Sequence, residues 1–260
     1  MSVALVGSKK LNKRLAALLK KDEDVKKLYL CCMNYEETAK IAGERAVVVE
    51  EDEVYRLKTD VVVEDVGAER AAEVVKKALE ADSHVVVTSS SVFSDKLFLR
   101  EVESLSKEKK KFVVVPFGAL PAMDLLEAMS LDSLKEVMIW VRRNPYQLSH
   151  ILKEAGLDPG DVNLPVTVYE GSALKELIKV REDINTLMAA ALVSKVDPAV
   201  KIIADKMVKN SEYKMKVVSE IGEVEVKAEY KVVDKISEIM IYSVYRAVKR
   251  LLRPWGVVVL

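Results

Sequence analysis

Up to about residue 118 the chain alternates short β-branched runs with amphipathic stretches. The runs are VALVG at 3–7, LYLCCM at 28–33, RAVVVE at 45–50, DVVVED at 60–65, HVVVTSS at 84–90 and KFVVVPFGA at 111–119. They are continuously apolar rather than alternating, which predicts strands buried on both faces. Between them lie helical periods, such as Leu11, Leu15, Leu18 and Leu19 after the first run. Strand, helix, strand in repetition predicts a doubly wound, Rossmann-like parallel sheet with helical crossovers. Its ligand crevice should lie at the carboxyl ends of the strands, near Gly7, Glu64, residues 89–91 and residues 116–119.

After Pro121 the texture changes. EVMIWVRRN (136–144), VTVYEG (166–171), KMKVVSE (214–220) and EVEVKAEYKVV (223–233) are longer and alternate in polarity. Helices are expected at about 146–156, 172–181 and 184–195, which makes this half an α+β domain with a mostly antiparallel sheet. The chain then enters a helical pattern at about 235–252, stopped by Pro254. Two domains are thus expected, 1–118 for a dinucleotide and 119–260 for substrate and dimer contacts, with the last helix packing back on the first.

Composition narrows the function classes. Forty-one basic and forty-one acidic residues give zero net charge over 260 residues, so the usual electrostatic reason to expect nucleic acid is absent. The lysines in 107–111 read as a solvated face. No basic and apolar leader opens the sequence, and no run approaches the roughly 18 apolar residues that span a bilayer, so no membrane partner and a cytoplasmic location are expected. Cys31 and Cys32 are adjacent within an apolar run and point to opposite faces of a strand. They cannot grip one ion together, and no metal site is expected. Abundant Lys, Glu and Val beside a single glutamine, Gln147, resemble thermophile usage.

Several segments in order resemble the L-aspartate dehydrogenase family: HVVVTSSSVFSD, VVVPFGALPAMD, VYEGSALKELIKVREDIN, IIADKMVKNSEYKMKV and the final helix. The most specific is EGSA at 170–173, followed at the family's spacing by Asn185. The resemblance implies a Rossmann domain joined to an α+β domain, a homodimer, and NAD- or NADP-dependent oxidation of aspartate to iminosuccinate. Asp124, Glu170, Gly171, Ser172, Lys235 and Ser237 also fit the family's pattern, although glycine and serine in EGSA suit an ordinary strand-to-helix turn with Ser172 as a cap.

The departures fall on the chemistry. A glycine-rich turn is expected at the cofactor; here it reads GSKKLN at 7–12, with Lys9 and Asn12 where glycines let the pyrophosphate approach and the helix pack close. The cofactor candidates are Gly7, Ser8, Lys9, Lys10, Leu11 and Ser89. Lys9 and Lys10 either hold a phosphate at the helix N-terminus or are solvated. Met33 or Asn34 stands where a ribose-reading carboxylate belongs, and Glu36 and Glu37 read as first-turn dipole partners. In the second domain the resemblance places the acid/base histidine at Tyr213 and an asparagine at Asp183, with Asn185 retained, so Tyr213, Asp183 and Asn185 are the catalytic candidates. A phenol titrates near 10 against roughly 6.5 for imidazole, so Tyr213 needs a neighbour such as Lys214 to act as a base near neutrality. His84 and His150 read as structural. Two functions fit these residues: a divergent NAD(P)-dependent oxidoreductase of a small amino acid or related acid, or a non-catalytic relative that keeps the fold for binding or assembly.

Overall fold

The computed structural model describes residues 1–7, 10–31, 40–41, 44–174, 184–233 and 236–253. The chain divides into two compact units, Met1–Pro116 together with Ile241–Leu260, and Phe117–Met240.

The first unit is built on six parallel strands: β1 (Ser2–Val6), β2 (Lys27–Cys31), β3 (Ala46–Val49), β4 (Val61–Glu64), β5 (His84–Val87) and β6 (Val113–Val114). Their order is β3-β2-β1-β4-β5-β6, so the winding reverses between β1 and β4. Helices α1 (Lys10–Leu19), α2 (Glu51–Arg56), α3 (Ala68–Glu80) and α4 (Lys96–Lys109) follow β1, β3, β4 and β5. Val3, Ala4, Leu5, Val6 and Val61, Val62, Val63 are fully buried, which is why these runs are apolar without alternation. The expected doubly wound sheet is present. Its sixth strand is shorter than its Val-rich run, with two residues in the ladder.

The last helix, α8 (Glu238–Leu252), turns Ile241, Val244, Val248, Leu251 and Leu252 inward. It begins later than the sequence period suggests, because Ile236–Ser237 pairs instead with Val232–Val233 as a short antiparallel ribbon. Its polar side is tied within the first unit to the turn after α1. Tyr245 donates to Asp22 Oδ2 at 2.5 Å and Lys249 to Asp22 Oδ1 at 2.8 Å. Lys249 also reaches Asp24, and Arg253 donates to Asp24 Oδ1 at 2.5 Å. Pro254, expected to stop the helix, lies outside the described residues.

The second unit carries a five-stranded sheet of β7 (Leu134–Arg143), β8 (Val166–Ser172), β9 (Ala199–Ala204), β10 (Ser211–Ser219) and β11 (Gly222–Tyr230), ordered β11-β10-β7-β9-β8. Only β7 and β9 run parallel, so the sheet is mostly antiparallel. Helices α5 (Met123–Met129), α6 (Ser149–Glu154) and α7 (Ile184–Ser194) belong to this unit. The alternation of β7 and β10 sends Val137, Ile139, Val141, Met215 and Val217 into the core. The opposite face carries ion pairs, Lys201 with Glu170 at 2.7 Å and Lys214 with Glu225 at 2.8 Å. The helix expected at about 172–181 does not begin there, since β8 continues through Ser172; residues 175–183 lie outside the described residues.

Candidate functional site

The carboxyl ends of β1, β4 and β5 meet where the sheet reverses its winding, the place where open α/β sheets take their ligands. Gly7 follows β1 with φ +122°, a conformation side chains seldom adopt, and a Cβ there would lie 2.2 Å from the Asp65 carbonyl oxygen. Backbone therefore touches backbone across β1 and β4. The Val6 carbonyl accepts from Asp65 N–H at 2.8 Å and from the Asn12 side-chain amide at 3.2 Å. Asn12 is fully buried. Its amide ties α1 to the end of β1.

Glu64 closes β4, fully buried. Its carboxylate accepts from Val66 N–H at 2.8 Å, from Ser89 Oγ at 2.7 Å and from Ser89 N–H at 3.1 Å. Ser89 Oγ in turn accepts from Gly67 N–H at 3.0 Å, just before α3. Asp65 is also buried and accepts from Thr88 Oγ1 at 3.3 Å. The crevice is thus a rigid, acid-lined corner. Of the cofactor candidates, Gly7 and Ser89 stand at this corner, Lys10 opens α1 on its exposed side and Leu11 is buried in the core. Ser8 and Lys9 lie outside the described residues, as do Cys32, Met33, Asn34, Glu36 and Glu37.

In the second unit Tyr213 lies on the inward face of β10, 1% exposed, opposite Val141 of β7. Arg143, two residues further along that face of β7, donates to the Tyr213 hydroxyl, and its guanidinium carbon stands 5.4 Å from the ring centroid. Lys214, expected to tune the phenol, points the other way: it pairs with Glu225 and stands 4.6 Å over the Trp140 ring. The period of a strand makes neighbours in sequence face apart. Sequence reasoning missed Arg143. The available signal was its place in the row Val137, Ile139, Val141, where an arginine at an inward position is unusual.

Asn185 is the second residue of α7, half-buried. Its neighbour Thr186 closes on the turn after β6, where a Cβ on Gly118 (φ +67°) would lie 3.1 Å from Thr186 Oγ1. Asp183 and Lys235 lie outside the described residues. The Ser172 hydroxyl donates to the Asp197 carboxylate, whose other oxygen accepts from Leu174 N–H at 2.8 Å. Ser172 and Asp197 line a cavity of about 270 Å³ with Met138, Glu170 and Gly171.

The two histidines sit elsewhere. His84 Nδ1 accepts from Phe112 N–H at 2.9 Å, and burial followed by the charge of Lys111 holds its pKa below the ordinary value. His150 is exposed on α6. Among the described residues no cluster of three or more His, Cys, Asp or Glu could hold a metal, and no helix is long and apolar enough to cross a membrane.

Comparison with known proteins follows the same division. Residues 3–116 match the NAD-binding domain of homoserine dehydrogenase, and residues 124–251 match the C-terminal domain of aspartate dehydrogenase. The L-aspartate dehydrogenase of Methanococcus maripaludis is 28% identical over 174 residues, covering 67% of this chain and 65% of that protein. That of Methanocaldococcus jannaschii is 26% identical over 175 residues, covering 67% and 66%. The matched stretch thus takes in just under two thirds of these relatives' own length. Among solved structures, aspartate dehydrogenase from Thermotoga maritima shares the fold with a TM-score of 0.74 at 24% identity, covering 96% of each chain. An NAD-binding domain is thus followed by a stretch that matches the aspartate dehydrogenase C-terminal domain, so at the level of both its domains the chain is similar to aspartate dehydrogenases.

Proposed function

We propose that the chain is a divergent NAD(P)-dependent oxidoreductase of a small amino acid or related acid. The observation that carries this reading is the corner between β1 and β4. Gly7 is pressed against the Asp65 carbonyl at the switch point of the sheet, and the Asn12 amide ties the start of α1, where an anion is favoured, to the end of β1. Gly7, the first turn of α1 and Ser89 would hold the dinucleotide. When bound, it supplies a hydride acceptor; the chain supplies position and proton transfer. Tyr213, in the place the resemblance gives to a histidine, is the acid/base of this reading.

The same corner supports weak binding. Two carboxylates, Glu64 and Asp65, are buried at this corner, and their negative charge disfavours a doubly anionic bridge nearby. Calorimetric titration with NAD and NADP is expected to give a dissociation constant on the order of a millimolar, about −4 kcal/mol. Activity is the second arm. The unaltered chain should leave L-aspartate unoxidised, and Tyr213→His combined with Asp183→Asn should restore turnover about 10²- to 10⁴-fold, since imidazole exchanges protons near neutrality. Brisk aspartate oxidation by the unaltered chain refutes the assignment. Saturating dinucleotide with every variant silent favours the non-catalytic relative, a reading supported by the near-complete burial of Tyr213.

We further propose a cytoplasmic homodimer joined through the second unit. The apolar faces of β7 and β10 are turned into the unit's own core, so the pairing surface is the opposite face, where half-buried Trp140 stands among charges of both signs. Light scattering in the micromolar range is expected to give twice the 29.0 kDa chain mass. A monomer mass refutes it.

A further inference from the structure

We propose that His84 is a pH-sensitive latch on the edge strand of the parallel sheet: its neutral ring holds the start of β6 closed, and protonation releases it. The proposal concerns the first unit alone and stands apart from the redox reading. β6 is the edge of the sheet, with two residues in its ladder, and the chain leaves the first unit just beyond it at Pro116. So short an edge gains little from its own backbone bonds and can open locally. Phe112, which leads into it, is held at both of its peptide groups. Its carbonyl accepts from Val85 N–H at 2.9 Å, and its N–H donates to His84 Nδ1 at 2.9 Å. The two rings stack, with centroids 5.6 Å apart and planes at 16°.

The bond to Nδ1 fixes the state of the imidazole. A ring nitrogen accepts only through a free lone pair, so His84 is neutral here, with its hydrogen on Nε2. Imidazolium carries a hydrogen on each nitrogen and would set one N–H against another at Phe112. Among the described residues, the charged groups that act on this half-buried ring are Lys111, beside Phe112, and Asp60, at the entrance of β4. Lys111 opposes a second positive charge and Asp60 favours one, but Asp60 already accepts from Ser2 N–H at 2.7 Å and Ser2 Oγ at 2.9 Å. Asp82, two residues before His84, is paired with Lys109 at 3.9 Å. Burial and Lys111 together outweigh Asp60, and the closed edge therefore takes up a proton less readily than the open one. Opening is favoured as pH falls through about 6.5, by at most about tenfold per pH unit, and levels off once the closed form itself titrates.

The test is amide hydrogen exchange of the full chain between about pH 7 and pH 5, read by mass spectrometry on the peptide that contains Phe112 and β6 and corrected for the unstructured rate at each pH. The His84 ring is followed by NMR in the same range. The unaltered chain should lose protection about tenfold toward pH 5. His84→Asn offers an oxygen acceptor that does not titrate, so its protection should stay level. His84→Phe keeps a stacking ring without an acceptor and should be open at both ends of the range. Lys111→Gln should raise the pH at which the ring titrates and shrink the loss. Melting temperature and far-ultraviolet circular dichroism at pH 7 report folding separately, and if His84→Phe fails to fold, the contrast between the unaltered chain and His84→Asn decides the matter. Level protection in the unaltered chain, an equal loss in His84→Asn, or a ring that titrates at or above 6.5 overturns the proposal.

Discussion

Replacing Gly7 by alanine is expected to destabilise the first unit by about 3–5 kcal/mol, read as a lower urea midpoint, and to abolish whatever dinucleotide binding the chain has. Two costs add. At φ +122° any Cβ is strained. The larger cost is overlap: the new methyl would lie 2.2 Å from the Asp65 carbonyl oxygen and 2.6 Å from its carbon. Flexible side chains can yield to such a contact. This neighbour is backbone, held by the bond from Asp65 N–H to Val6 and by β4 pairing with β1 and β5. A loss below about 1 kcal/mol would mean that the two strand ends separate freely, and would undo the account of a rigid corner.

The second large effect is expected at Asp22. This carboxylate is 8% exposed and accepts from both Tyr245 and Lys249 of the last helix. Burial pushes its pKa upward, but the bonds from Lys249, Tyr245 and the Asp24 amide outweigh that and hold it below the ordinary 3.8. Asp24 is lowered as well, by Lys249 and Arg253. For a carboxyl depressed on folding, the unfolded chain takes up protons first as pH falls. The contribution is therefore whole above about pH 4 and is lost as pH falls through the folded value. Asp22→Asn should cost about 2–3 kcal/mol at pH 7, and the gap between the two melting curves should narrow below pH 4. A gap that stays constant from pH 7 to pH 3 would place the effect in packing rather than charge.

How far these features were legible in the sequence depends on whether they are local. Continuous Val runs announce a parallel sheet because burial on both faces excludes polar residues from a strand. The alternation in VMIWVRR and KMKVV likewise announces half-buried strands. Shorter elements escaped. The strand Ala199–Ala204 contains Lys201 at its centre, and the helix Met123–Met129 covers too few turns to show a period. Glu64 and Ser89 could be placed at the crevice from their positions at run ends, but not joined to each other, since that bond spans 25 residues. Arg143 escaped for the same reason. Its partner lies 70 residues away, and only the register of β7 against β10 brings them together. Nothing in the spacing of KNSEYKMKV points to it, and the nearer Lys214 is the wrong partner because a strand turns consecutive side chains apart.

The last helix has a consequence for synthesis. The first unit is left at Pro116 and resumed at Ile241, so the second is inserted within it and both ends of the chain belong to one body. A ribosome therefore completes the inserted body before it delivers the segment that finishes the host. At about 5–20 residues per second, the nascent parallel sheet waits on the order of ten seconds for Val244, Val248 and Leu252 to arrive. During that interval the apolar surface destined for this helix is open to chaperones and to other nascent chains. A stop codon shortly before residue 241 would leave the inserted body whole and the host permanently unfinished.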